Sequence, residues 1–93
     1  MVIQPADGIR WAGDNGFLCV VDENKGCEYR LAGFEAALWS WLVLAYDYNK
    51  VGRFAQVWLG VTLSEAENKV RNVIQEWLSG GLVKTRPEGD GHG

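Results

Sequence analysis

Residues 26–42, GCEYRLAGFEAALWSWL, contain the change of period on which the fold turns. Across Cys27, Glu28, Tyr29, Arg30 and Leu31, apolar and charged residues alternate, which is the pattern of a strand with one dry and one wet face. At Ala32-Gly33 the alternation stops. Phe34, Leu38, Trp41, Leu42 and Ala45 then recur at helical spacing and form one apolar stripe. Trp39 falls outside that stripe, while Ala36 and Val43 widen the apolar surface behind it. A helix apolar over so much of its circumference is central to a core or has a partner, so Trp39 is open to both readings.

Upstream, FLCVV at residues 17–21 is β-branched, aromatic and apolar on both sides, which predicts a central strand covered on both faces. The intervening residues 22–26, DENKG, form a hairpin loop in which Gly26 suits the left-handed closing position. Ile9-Arg10-Trp11 reads as a shorter strand between Gly8 and a turn cluster of Gly13, Asp14, Asn15 and Gly16.

Downstream, Asn49 is placed to cap a second helix over residues 51–59, with Val51, Phe54, Val57 and Trp58 inward and Gly60 ending it. A third helix opens on one of two overlapping capping boxes, Thr62 with Glu65 or Ser64 with Glu67. It carries Ala66, Val70, Val73, Ile74, Trp77 and Leu78 on its apolar side and stops at Gly80-Gly81, after which Leu82-Val83 returns to the core. The fold class is α+β and winged-helix-like, a small antiparallel β-meander of about three strands followed by three helices. A single domain is expected over residues 1–84, with residues 85–93 as a flexible C-terminal tail.

With 93 residues, 47% of them apolar and 23% charged, the chain is long enough for one core and is neither disordered nor collagen-like. Its net charge of −3 argues against a surface built to neutralise phosphates. No apolar run approaches the roughly 18 residues of a membrane span. The start MVIQPADGIR lacks the basic and apolar regions of a secretory signal, so a cytoplasmic location is expected. If Val21 faces Cys27, Cys19 lies diagonal to Cys27 at a Cα separation of about 7–8 Å. That exceeds the usual disulfide range of about 4.4–6.8 Å and leaves two reduced thiols.

The one histidine, His92, stands in the tail, so no His-centred dyad or triad is available. Two cysteines and a tail histidine do not assemble a zinc site, and no glycine-rich phosphate loop follows a strand. Glu67 is credited with a capping role. These features predict no catalytic residues, no metal, no cofactor and no enzymatic activity.

Two binding classes remain. A winged-helix DNA-binding regulator needs a cationic recognition helix, but the third helix sets Lys69 and Arg71 against Glu65, Glu67 and Glu76. Peptide binding fits better. Residues 27–31 offer an edge to which an extended peptide can add, and Val70, Val73, Ile74 and Trp77 of the third helix supply either a pocket beside it or simply core. A third reading makes the apolar surplus an oligomer interface, a homodimer being the simplest form.

The ordered motifs VVDENKGCEYRL, FEAALWSWL and VIQEWLSGGLV carry a resemblance over residues 16–83. Tyr29-Arg30-Leu31 followed by Ala37-Leu38-Trp39 and Leu42, then Leu78 with Gly81-Leu82-Val83, is similar to the PqqD-like family, also called RiPP recognition elements. The resemblance implies a small winged-helix-like domain that binds the leader segment of a ribosomally made precursor peptide. It also implies presentation of that peptide to a modifying enzyme such as a radical SAM maturase, a cyclase or a leader peptidase; from charge and the lack of an apolar span, no nucleic-acid or membrane partner is expected. The leader would add as an antiparallel strand along residues 28–31, in a groove against residues 69–77. Glu28 and Arg30 would select charge, Tyr29 and Leu31 would anchor the strand to the core, Val73 and its neighbours would line a pocket, and Lys69 and Arg71 would meet acidic leader residues. Two positions depart from the family: Ala32 where Asn is common, which removes a cap for the first helix, and Glu35 where a small residue is common.

Overall fold

The computed structural model describes residues 2–44 and 47–86. Its elements run β1 (Val2–Pro5), β2 (Ile9–Asp14), β3 (Phe17–Asp22), β4 (Cys27–Ala32), α1 (Phe34–Val43), α2 (Tyr48–Leu59), α3 (Leu63–Ser79) and β5 (Val83–Arg86). The α+β arrangement of an antiparallel meander followed by three helices is the one the sequence predicts.

β2, β3 and β4 form a three-stranded antiparallel sheet in that order. Asn15 and Gly16, at φ 49° and 83°, make the two-residue Asn-Gly turn between β2 and β3. Gly13 and Asp14, expected in the turn, therefore belong to β2. The β3–β4 loop closes as predicted: Gly26 takes φ 68°, and its N–H donates to the Asp22 carbonyl at 2.8 Å. The Asp22 carboxylate, 2% exposed, holds the loop by accepting from the N–H groups of Asn24 and Lys25 at 3.0 and 3.2 Å.

The register pairs Asp22 with Cys27 and Val21 with Glu28, one residue away from the assumed Val21–Cys27 facing. A one-residue shift moves a side chain to the opposite face of a sheet. Cys19 therefore pairs with Arg30 on the outer face while Cys27 lies on the inner face, and the two are not joined in a disulfide.

The inner face contributes Ile9, Val20 and Leu31 to the core. The outer face corrects the expectation that β3 is covered on both sides: Phe17 is exposed, and Cys19 and Val21 are half-buried. Long polar side chains shield it instead of a packed layer. The Arg30 guanidinium lies 5.4 Å from the Phe17 ring centroid, and Cys19 Sγ donates to Glu28 Oε2 at 2.8 Å.

Gly33 occupies the N-cap of α1 at φ 59°, with its carbonyl accepting from the Ala37 N–H and no side chain capping the helix. An L-residue is disfavoured there, so the turn into α1 depends on glycine in place of a polar cap. α1 buries Leu38, Trp39 and Leu42, which assigns Trp39 to the core; Ala45 lies outside the described residues. The buried face is thus turned from the predicted stripe, and Phe34 and Trp41 are only half-buried.

α2 starts earlier than predicted because Asp47 caps it, its side chain accepting from the Asn49 N–H at 2.9 Å. Its buried residues are Val51, Gly52 and Ala55, whereas Phe54, Val57 and Trp58, all read as inward, are exposed. The small residues let α2 lie close to α3, and the bulky ones are left on the far side.

In α3 the Thr62 box forms. Thr62 Oγ1 accepts from the Glu65 N–H at 3.2 Å and donates to Glu65 Oε1 at 3.1 Å. Glu67 is therefore not the capping residue. It lies beside Gly52 of α2, where a Cβ would stand 3.3 Å from Glu67 Cγ.

β1 and β5 form a second, two-stranded antiparallel sheet, from Val2 opposite Arg86 to Pro5 opposite Val83. The chain thus stays in the fold to Arg86, two residues beyond the expected boundary at 84. Residues 87–93, with His92, lie outside the described residues.

Candidate functional site

In an antiparallel ladder each residue sends its N–H and C=O to the same side, and the side alternates along the strand. Gly26 N–H reaches the Asp22 carbonyl, so Asp22 points at β4; Glu23 N–H reaches the Gly8 carbonyl, so the next residue points the other way. Asp22, Val20 and Leu18 therefore bond to their partners Cys27, Tyr29 and Leu31. The main-chain groups of Glu28, Arg30 and Ala32 are left facing outward along β4, which is the end strand of the sheet. This edge can accept one more antiparallel strand without rearrangement of the ladder behind it.

The side chains around that edge divide by face. Tyr29 is half-buried and Leu31 buried beneath the sheet, whereas Glu28 and Arg30 lie above it. These two polar residues border a shallow depression of about 340 Å³ with Asn15, Phe17 and Cys19. Cys27 is exposed at the start of β4. Two residues further back, Lys25 Nζ donates to the Gly80 carbonyl at 2.9 Å and fastens the hairpin loop to the C-terminal end of α3. A cation there also meets the negative end of the helix dipole.

The residues of α3 named from the sequence separate. Val70, Val73, Ile74 and Trp77 are all at most 5% exposed and belong to the core. Trp77 packs edge-to-face on Trp39 at 5.3 Å. They form part of the support under the sheet. Lys69 and Arg71 are exposed, and at about 100° of helical turn per residue they stand on opposite flanks of α3. Arg71 donates to Asn68 Oδ1 at 2.7 Å and borders a cleft of about 260 Å³ with Ile3, Tyr48, Ile74, Gln75, Leu78 and Thr85. No β4 residue lines that cleft. The two cations are therefore not brought together against one strand.

Sequence reasoning missed an aromatic surface. Trp41, Phe54 and Trp58 cluster at centroid distances of 5.5 and 6.5 Å, and with Ser40, Leu44 and Val57 they line an open groove of about 500 Å³. The pairing of Gly52 with Ala55 was the available signal, since small residues mark the close-packed side of α2.

No helix among the described residues is long and apolar enough to cross a membrane. No protein-family model matches the chain, and no curated protein matches it. Solved structures do. Lasso peptide synthetase B1 complexed with the leader peptide aligns with a TM-score of 0.83 and 15% identity, covering 91% of this chain and all of that one. TbiB1 in complex with the TbiA(beta) leader peptide aligns with the same score at 13% identity, covering 91% of this chain and 99% of that one. At such identities the likeness is one of fold, and it extends over at least 99% of each neighbour.

Proposed function

We propose that this chain is a non-catalytic recognition domain that binds the leader segment of a ribosomally made precursor peptide by strand addition to β4. It then presents the peptide to a modifying enzyme. The outward-facing main chain of Glu28 and Arg30 carries the reading, because it offers sequence-tolerant affinity at an edge with a rigid core beneath. The two solved neighbours, each determined with a leader peptide, support it. In the proposed complex Cys27, Tyr29 and Leu31 bond back to β3, Glu28 and Arg30 bond to the peptide, and Lys69 contributes charge from α3. Val70, Val73, Ile74 and Trp77 hold the floor, while Arg71 serves the other flank.

The test uses a synthetic peptide from a short reading frame adjacent to this gene, titrated against isotope-labelled protein. Amide shifts should concentrate on Glu28, Arg30 and Ala32. Glu28→Pro removes one outward N–H while sparing the ladder to β3, so it should keep the fold by circular dichroism and weaken binding at least about tenfold. Shifts confined to β2 or α2, or undiminished binding by Glu28→Pro, would refute strand addition at β4.

A further inference from the structure

The sheet has a second open edge. By the same alternation, Phe17, Cys19 and Val21 of β3 bond to positions 14, 12 and 10 of β2, which turns the main chain of Ile9, Trp11 and Gly13 outward. Ile9 already spends its N–H on the Ala6 carbonyl at 3.2 Å. Among the described residues, no backbone hydrogen bond to another element uses Trp11 or Gly13. Natural edges are blunted by lysine, proline, a bulge or a covering element. β2, IRWAGD, has neither lysine nor proline, its exposed Arg10 is held by Glu23 at 2.9 Å, its register with β3 runs unbroken, and Trp11, Ala12 and Gly13 are exposed.

We propose that β2 is a self-association edge, pairing antiparallel with β2 of a second copy about a two-fold axis through Ala12. The sequence is complementary to itself in this register. Trp11 comes opposite Gly13 of the second copy, and the reverse, so about four hydrogen bonds form from the groups left free. Each indole, held edge-to-face on Trp39 at 5.8 Å yet still exposed, borders the glycine opposite, as an aromatic ring does where it protects glycine backbone in a sheet. Arg10, on the outer face, keeps its ion pair with Glu23 at 2.9 Å. Ala12 meets itself on the axis, where a non-hydrogen-bonded pair brings Cα atoms to about 4.5 Å and a small residue fits best. A register centred on Trp11 would need the N–H of Ile9 that Ala6 already holds. Such an isologous contact joins two three-stranded sheets edge to edge and leaves both β4 edges at the outer ends. The proposal stands independently of what binds β4.

The interface is small, so association should appear in the range of about 10 µM to 1 mM. Sedimentation equilibrium of the native chain should show a monomer–dimer transition in that range, and Gly13→Lys should weaken it at least about tenfold by placing a charge on the edge. A Cβ at Gly13 meets nothing nearer than 4.0 Å, so the variant should fold. In a Cys19→Ser, Cys27→Ser background, Ala12→Cys should form an intermolecular disulfide under mild oxidation many times faster than Val57→Cys, an exposed control on α2. A chain that sediments as a monomer throughout overturns the proposal. So does a dimer that Gly13→Lys leaves intact, or crosslinking at Ala12→Cys no faster than at Val57→Cys; a faster Val57→Cys would move the interface to the aromatic groove. If Ala12→Cys fails to fold, the native and Gly13→Lys sedimentation decides alone.

Discussion

Trp39 shows at the scale of one residue how apolar spacing can mislead. The pattern-based stripe is anchored on Phe34 and Trp41, the bulkiest residues at helical spacing, yet the buried face of α1 centres on Leu38, Trp39 and Leu42. Trp39 is 1% exposed and lies edge-to-face between Trp11 at 5.8 Å and Trp77 at 5.3 Å, linking β2 to α3 through α1. Size alone could not have identified it, because three other tryptophans of the described chain are more exposed or half-exposed. Its buried indole Nε1 finds no partner among the described residues. Trp39→Ala should therefore cost about 3–5 kcal/mol by chemical denaturation, through lost contact and the cavity left behind. Trp39→Phe keeps a ring in place and removes a polar group that burial penalises. It should cost no more than about half as much, and equal losses for the two variants would show that the ring itself contributes little.

Elements differed in legibility according to how local their determinants are. The β3–β4 hairpin was read correctly in extent because its loop chemistry, Asp22 through Gly26, is contiguous in sequence. Its register was not, because a loop admits pairings that differ by one residue and only the packed structure chooses between them. The end of α2 was legible, yet its inward face was not, since close approach to α3 favoured Gly52 and Ala55 over the aromatic residues. At the start of α3 two capping boxes overlap, and sequence offers no way to rank them. The structure uses Thr62 with Glu65. Thr62→Ala should accordingly destabilise the protein by about 1 kcal/mol, whereas Ser64→Ala should change stability by less than about 0.5 kcal/mol. Thermal or urea unfolding of the pair distinguishes the boxes, and the reverse order would reassign the cap.

Over the whole molecule, the least legible feature is the one that closes the chain on itself. VIQP and VKTR are four-residue strands with no turn between them, and they pair across almost the full length of the sequence. Nothing local announces a partner so distant, which is why the end of the domain read as a tail. The pairing nevertheless contributes to the core: Ile3 and Val83 are each 4% exposed, and the Ala6 N–H reaches the Leu82 carbonyl at 3.0 Å just beyond the strands. The candidate site lies in the other sheet, and Lys25 ties its loop to Gly80 only a few residues before β5 begins. Ile3→Ala should thus lower global stability by about 2–4 kcal/mol through cavity formation. It should also speed hydrogen exchange at the amides of Val83 to Arg86 more than at β3, because β1 is their only strand partner among the described residues. If β5 keeps its protection while global stability falls, the two strands are held by the core separately and not by each other. If both fall together, the second sheet is the clasp that fixes the C-terminal end of α3 beside the β3–β4 loop.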